Sequence, residues 1–128
     1  MSRREQLRVM VVDDTAVSRG LITQVLDWLR VENYRTANDG QEALKSIAQS
    51  PVHLVISDYY MPAMDGLGLL HGLRTTRGIE RTAFILVTGR ADEAMVAKGR
   101  QLGMNNMILK PFTKEQMKAC IEQVVGPL

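Results

Sequence analysis

Apolar residues fall into two kinds of pattern along this chain, and the two alternate. Val9 to Val12, Leu54 to Ile56, Ala83 to Val87 and Met107 to Leu109 are short aliphatic stretches without polar alternation, and Tyr34 to Ala37 is a weaker fifth. Strands covered on both faces of a sheet read this way. Between them the spacing is helical. Val17, Leu21, Ile22, Val25, Leu26 and Leu29 share one helical face, with Thr15 placed to cap the start. Ala43, Leu44 and Ile47 mark a second helix, Leu67, Leu70 and Leu73 a third, and Ala94, Met95, Ala97 and Leu102 a fourth, interrupted by Gly99. In the last, Thr113 and Gln116 have capping-box spacing, and Met117, Cys120, Ile121, Val124 and Val125 follow at helical intervals.

Five strands alternating with five helices predict an α/β fold, a doubly wound parallel sheet with helices on both sides. Right-handed crossovers leave few ways to wind such a sheet, and its functional crevice lies beyond the carboxyl ends of the strands, near the point where the winding reverses. Asp13 and Asp14 follow the first strand, Asp58 the third, Thr88 the fourth and Lys110 the fifth. Taken singly, each has a plain structural explanation as a helix cap, a turn former or a surface residue. Gathered at one edge of one sheet, they point to chemistry. Three crowded carboxylates raise one another's pKa unless a cation sits among them, and oxygen donors without histidine or cysteine suit a hard ion, Mg²⁺ or Mn²⁺. Such an ion commonly accompanies a phosphoryl group, and a carboxylate can act as the nucleophile that forms an acyl phosphate. Asp58, the single carboxylate of the central strand, is the expected nucleophile, and Asp13 and Asp14 the expected metal holders.

Composition narrows the setting. A chain of 128 residues fits one domain, expected to span 1–128, and 45% hydrophobic with 23% charged residues is ordinary for a globular protein. No apolar run approaches the roughly 18 residues that would span a bilayer, so no membrane association is expected. The N-terminal MSRREQLR lacks the features of a signal peptide, which favours the cytoplasm. Cys120 is the only cysteine, so no internal disulfide is possible, and its place on an apolar stripe suggests a buried thiol. The net charge of +2 raises the question of nucleic acid, but Arg74, Arg77 and Arg81 are broken up by Gly78 and Glu80 and read as solvated surface. His53 and His71 read as structural or surface residues.

The segment Asp58-Tyr59-Tyr60-Met61-Pro62-Ala63-Met64-Asp65-Gly66, with Asp13-Asp14, Asn38-Asp39-Gly40-Gln41-Glu42-Ala43-Leu44 and Lys110-Pro111-Phe112 in order around it, resembles the response-regulator receiver domains of the chemotaxis CheY-like type. The resemblance runs from Arg8 to about Val125. It implies a flavodoxin-like sheet of order 2-1-3-4-5. It also implies a two-component signalling protein, not an enzyme in the usual sense, in which Asp58 accepts a phosphoryl group from a histidine kinase. Asp13, Asp14, Asp58 and the backbone carbonyl of Tyr60 would hold Mg²⁺. Thr88 and Lys110 would contact the phosphoryl oxygens, helped by the amides of Tyr60 and Gly89. The Lys110-Pro111 bond corresponds to one that is cis in the family, Gly66 would supply a positive φ in a turn, and Gly89 would let the backbone approach the phosphate closely.

In this family the output surface is the fourth helix, fifth strand and fifth helix, here roughly Ala91 to Val125. A departure lies there: where the family usually carries an aromatic three residues before the lysine, this chain has Met107, which can fill space but presents no hydroxyl. Tyr60 and Arg90, two residues beyond Asp58 and Thr88, are expected to flank a phosphoryl group and slow its hydrolysis. Because the last helix runs almost to Leu128, the expected output is a protein contact, such as a flagellar motor switch protein, or phosphate buffering of a shared kinase. A haloacid-dehalogenase-type phosphatase would need D-x-D after the first strand, where this chain has adjacent aspartates. A flavodoxin-like FMN carrier is disfavoured by acidic residues in the first loop.

Overall fold

The alternation of apolar runs and amphipathic segments becomes a five-stranded parallel sheet in the computed structural model, which describes residues 3–128. The strands are β1 (Val9–Val12), β2 (Tyr34–Ala37), β3 (Leu54–Asp58), β4 (Ala83–Thr88) and β5 (Asn106–Leu109), in the order β2-β1-β3-β4-β5. All four pairings are parallel, with Val9 opposite both Tyr34 and Leu54, Asp58 opposite Val87, and Thr88 opposite Leu109. The helices are α1 (Arg3–Gln6), α2 (Ala16–Trp28), α3 (Gly40–Gln49), α4 (Gly66–Thr75), α5 (Glu93–Gln101) and α6 (Lys114–Val125).

Successive strand residues point to opposite faces, so each strand feeds two cores. Val9, Val11, Ile56, Ile85 and Val87 pack with Ile22, Leu26, Met117 and Ile121 of α2 and α6. Met10, Val12, Val55, Phe84 and Leu86 pack with Ala43, Ile47, Leu70 and Leu73 of α3 and α4, and with Met95 of α5. A strand lined on both sides by such residues has no solvent face, which is why these runs show no polar alternation.

Several details depart from the sequence reading. There are six helices among the described residues, not five, because Arg3–Gln6 forms an extra turn closed by Leu7 N donating to Arg3 O at 3.0 Å. Arg3 and Arg4 reach across to the carbonyls of Val125 and Leu128, tying this turn to the end of α6. Such long-range partners leave no mark on local periodicity. The apolar face assigned to α2 divides: Ile22, Val25, Leu26 and Leu29 are buried, whereas Val17 and Leu21 are 75% and 53% exposed. In α5 it is Met95 and Gly99 that turn inward, while Ala94 and Ala97 face solvent. Gly99 is no interruption there; a Cβ on it would stand 3.0 Å from the Met104 sulfur.

Thr15 has the extended backbone of a cap, but its side chain makes no capping bond. At α6 the expected capping box forms: Gln116 N donates to Thr113 Oγ1 at 3.0 Å and Thr113 N donates to Gln116 Oε1 at 2.9 Å. Thr113→Ala removes one of these bonds and should destabilise the protein by about 1 kcal/mol, read as a lower urea midpoint at unchanged slope. Cys120 is buried as expected, and burial pushes its thiol up to about 11.

Candidate functional site

Because β1 lies between β2 and β3, the winding of the sheet reverses beside it, and the loops after β1 and β3 open a crevice at their carboxyl ends. Asp13 continues directly from β1, its backbone N–H donating to Ala37 O at 3.1 Å, which fixes the carboxylate at the floor of that crevice with no solvent exposure. Its Oδ1 accepts from Thr15 N at 2.9 Å, and Arg19 Nη1 donates to its backbone carbonyl at 2.8 Å. Oδ2 is buried without a hydrogen-bond partner. Asp14 lies on the exposed rim.

Asp58 and Thr88 are the last residues of β3 and β4, so the strands run slightly further than their apolar cores. Asp58 is 8% exposed. Burial pushes its carboxyl above the usual range, Lys110 opposes that shift and Asp13 reinforces it. Lys110 arrives from the far strand: its N–H donates to Thr88 O at 2.9 Å, which extends the β4 pairing by one residue, and its Nζ lies 3.1 Å from Asp58 Oδ1 and 3.7 Å from Asp13 Oδ2. The Lys110-Pro111 peptide bond is cis. Thr88 is buried, its hydroxyl donating to Arg90 O at 2.8 Å and accepting from Arg90 N at 3.3 Å.

The loop from Asp58 to Gly66 folds back on the end of β3. Tyr59 N donates to Val87 O, Gly66 N donates to Tyr59 O at 2.8 Å, and Asp65 caps α4 through Gly68 N at 2.8 Å. Gly66 is required for a different reason from the one expected. Its φ is not positive; the positive φ in this turn belongs to Ala63, at 68°. A Cβ at Gly66 would stand 2.6 Å from Asp58 O and 2.8 Å from a Leu86 methyl, so only glycine lets α4 start against the phosphoacceptor candidate. Met64 of the same loop fills the space beside Gly40 and Gly68, which links this segment to the start of α3. Gly89 is not demanded by protein packing, since a Cβ there would meet nothing within 4 Å. Tyr60 is 61% exposed and stands edge-on to Tyr59 with ring centroids 4.7 Å apart. Met107 is half-buried and packs against the α3–α5 side of the core.

Thus one oxygen each from Asp13, Asp14 and Asp58 lie within 4.8 Å of one another, and a lysine from the opposite side faces two of the three aspartates. The description "Response regulator receiver domain" matches residues 9–122. The chain belongs to the response-regulator receiver family. The receiver is 44% identical over 128 residues to the "Probable chemotaxis protein CheY" of Rhizobium etli, covering 100% of this chain and 99% of that one. It is 32% identical over 121 residues to "Chemotaxis protein CheY1" of Helicobacter pylori, covering 94% and 98% of the two chains. Among solved structures it is similar to Vibrio cholerae CheY4, with a TM-score of 0.86 at 26% identity, covering 92% of this chain and 98% of the other. As a CheY-like receiver domain it is a component of a two-component signalling switch, a class of phosphoacceptor signalling proteins and not of conventional enzymes.

Sequence reading of the receiver overlooked Ser18 and Arg19, both of which touch the site. Ser18 had a signal: it stands four residues before Ile22 and seven before Val25, a polar residue on the buried stripe of a helix. No helix among the described residues is long and apolar enough to cross a membrane.

Proposed function

We propose that this receiver domain is a phosphorylation-dependent switch in which Asp58 takes a phosphoryl group from a phosphohistidine of a partner kinase. The observation that carries the reading is the 3.1 Å approach of Lys110 Nζ to Asp58 Oδ1 beside the buried Asp13. In the transfer an Asp58 oxygen forms a bond to phosphorus as the phosphorus–nitrogen bond of the donor breaks, and the electron pair leaves with the imidazole. Lys110 then meets negative charge on the phosphoryl oxygens, with the amides of Tyr60 and Gly89 as further donors.

The donor set fits a hard divalent cation: oxygen ligands only, crowded together, one of them buried with no hydrogen-bond partner. Asp13, Asp14, Asp58 and the carbonyl of Tyr60 would hold Mg²⁺ or Mn²⁺, which when bound would neutralise charge on the phosphoryl oxygens.

Thr88 supplies the link to output. To reach a phosphoryl group on the neighbouring strand its hydroxyl must give up Arg90, and that exchange pulls on the loop leading into α5. Charge-assisted bonds contribute about 1.5 to 3 kcal/mol each, so new ones from Thr88 and Lys110 supply about 3 to 6 kcal/mol. Shifting a two-state element from 1:99 to 99:1 takes about 5.5 kcal/mol. The surface that changes is α5, β5 and α6. There Met107 packs inward in place of the family's aromatic, while Leu109 is 51% exposed on the edge strand. The expected reader is an effector protein such as a flagellar motor component, and a kinase phosphate sink is the alternative.

The test is incubation with acetyl phosphate and Mg²⁺ followed by intact-mass measurement. One phosphoryl group per chain supports the switch, whereas sustained release of phosphate from small monoesters would favour a phosphatase. Tyr60→Ala and Arg90→Ala should each release that phosphoryl group several-fold faster than wild type, because their side chains restrict the approach of water; unchanged decay rates would remove them from that role.

A further inference from the structure

Ser18 is a half-buried serine on the inward-facing stripe of α2 that the phosphoacceptor chemistry does not use. It lies in the first turn of α2, a helix pinned to the sheet by Ile22 and Leu26, neither of which has any solvent exposure. Its Oγ accepts from Lys110 Nζ at 2.8 Å, closer than Asp58 Oδ1 at 3.1 Å or Asp13 Oδ2 at 3.7 Å. The ammonium therefore sits between one neutral oxygen and two carboxylate oxygens.

These contacts respond differently to the events of phosphorylation. Attraction to Asp13 and Asp58 depends on their charge, and a cation bound among the carboxylates competes for the same oxygens. The hydroxyl contact is indifferent to both. Lys110 is a long side chain, 29% exposed, with solvent as an alternative destination, and holding such a chain in one place costs rotamer freedom. An acceptor fixed on a rigid helix meets that cost before a phosphodonor arrives.

We propose that Ser18 is a positioning residue for Lys110: its hydroxyl keeps the ammonium over the site whatever the charge on Asp58, and phosphoryl uptake is faster for it. This rests on the reading of Asp58 as phosphoacceptor. With acetyl phosphate and Mg²⁺, Ser18→Ala should take up the phosphoryl group about 10- to 100-fold more slowly than wild type, the effect of one lost charge-assisted bond. Ser18→Thr, which keeps the hydroxyl, should restore the rate. In a Lys110→Ala background, Ser18→Ala should change nothing further. In the metal-free protein, NMR relaxation of the Lys110 ε-methylene should report greater mobility in Ser18→Ala, a readout independent of phosphorylation. A wild-type rate in Ser18→Ala, or an equal slowing with Lys110 already removed, overturns the assignment. If the wild type takes up no phosphoryl group, the phosphoacceptor reading fails as well; a labelled wild type beside an unaffected Ser18→Ala defeats the Ser18 inference alone.

Discussion

Asp58→Asn should take up no phosphoryl group from acetyl phosphate above background while keeping the wild-type fold. The amide has nearly the same shape and cannot form the acyl phosphate, and Asp13, buried with no solvent access, is already committed to Thr15 N through one oxygen. The backbone of residue 58 is held by the β3–β4 pairing, which the substitution leaves alone. Electrostatically the change is double-edged. It removes a carboxylate that burial and Asp13 both push toward its neutral form, and it weakens the ion pair with Lys110, which retains Ser18 and Asp13. Circular dichroism should therefore overlay that of the wild type, and intact mass should show no phosphoryl adduct. Adduct formation at the wild-type rate would mean that another group accepts the phosphate.

The same residues show what was legible in the chain before its fold was known. Strand positions were readable because both faces of this sheet are covered, so each strand is written as an uninterrupted apolar run flanked by polar residues. Asp13, Asp58 and Lys110 were legible as a set for the same reason, since residues following parallel strands must gather at one edge. The order of the strands was not readable from periodicity and came with the family resemblance. What stayed hidden depends on packing between elements distant in sequence. The need for glycine at position 66 comes from the β3 backbone and Leu86, and the turn at Arg3–Gln6 is held by carbonyls at the opposite end of the chain. Val17 and Leu21 sit at apolar positions of α2 yet face solvent, because the sheet covers only part of that helix.

Mg²⁺ at about 100 times its dissociation constant should raise the unfolding free energy of the wild type by about 2.7 kcal/mol, and Asp13→Asn should abolish that increment. The two oxygens of Asp13 have different roles. Oδ1 serves the fold by accepting from Thr15 N, and an asparagine oxygen can accept that bond equally well. Oδ2 is buried with no hydrogen-bond partner and only a lysine at 3.7 Å to offset its charge. A buried charge so weakly satisfied is costly unless a cation joins it. Neutralising it also removes the smaller contribution that Asp13 adds to burial in raising the Asp58 carboxyl. The metal-free variant should therefore be at least as stable as the metal-free wild type, even though it has lost the metal's contribution. Urea unfolding with and without Mg²⁺, compared at constant slope, separates the two effects. A full Mg²⁺ response in Asp13→Asn would remove Asp13 from the metal site, and a marked loss of metal-free stability would show that its carboxylate belongs to the fold rather than to the ion.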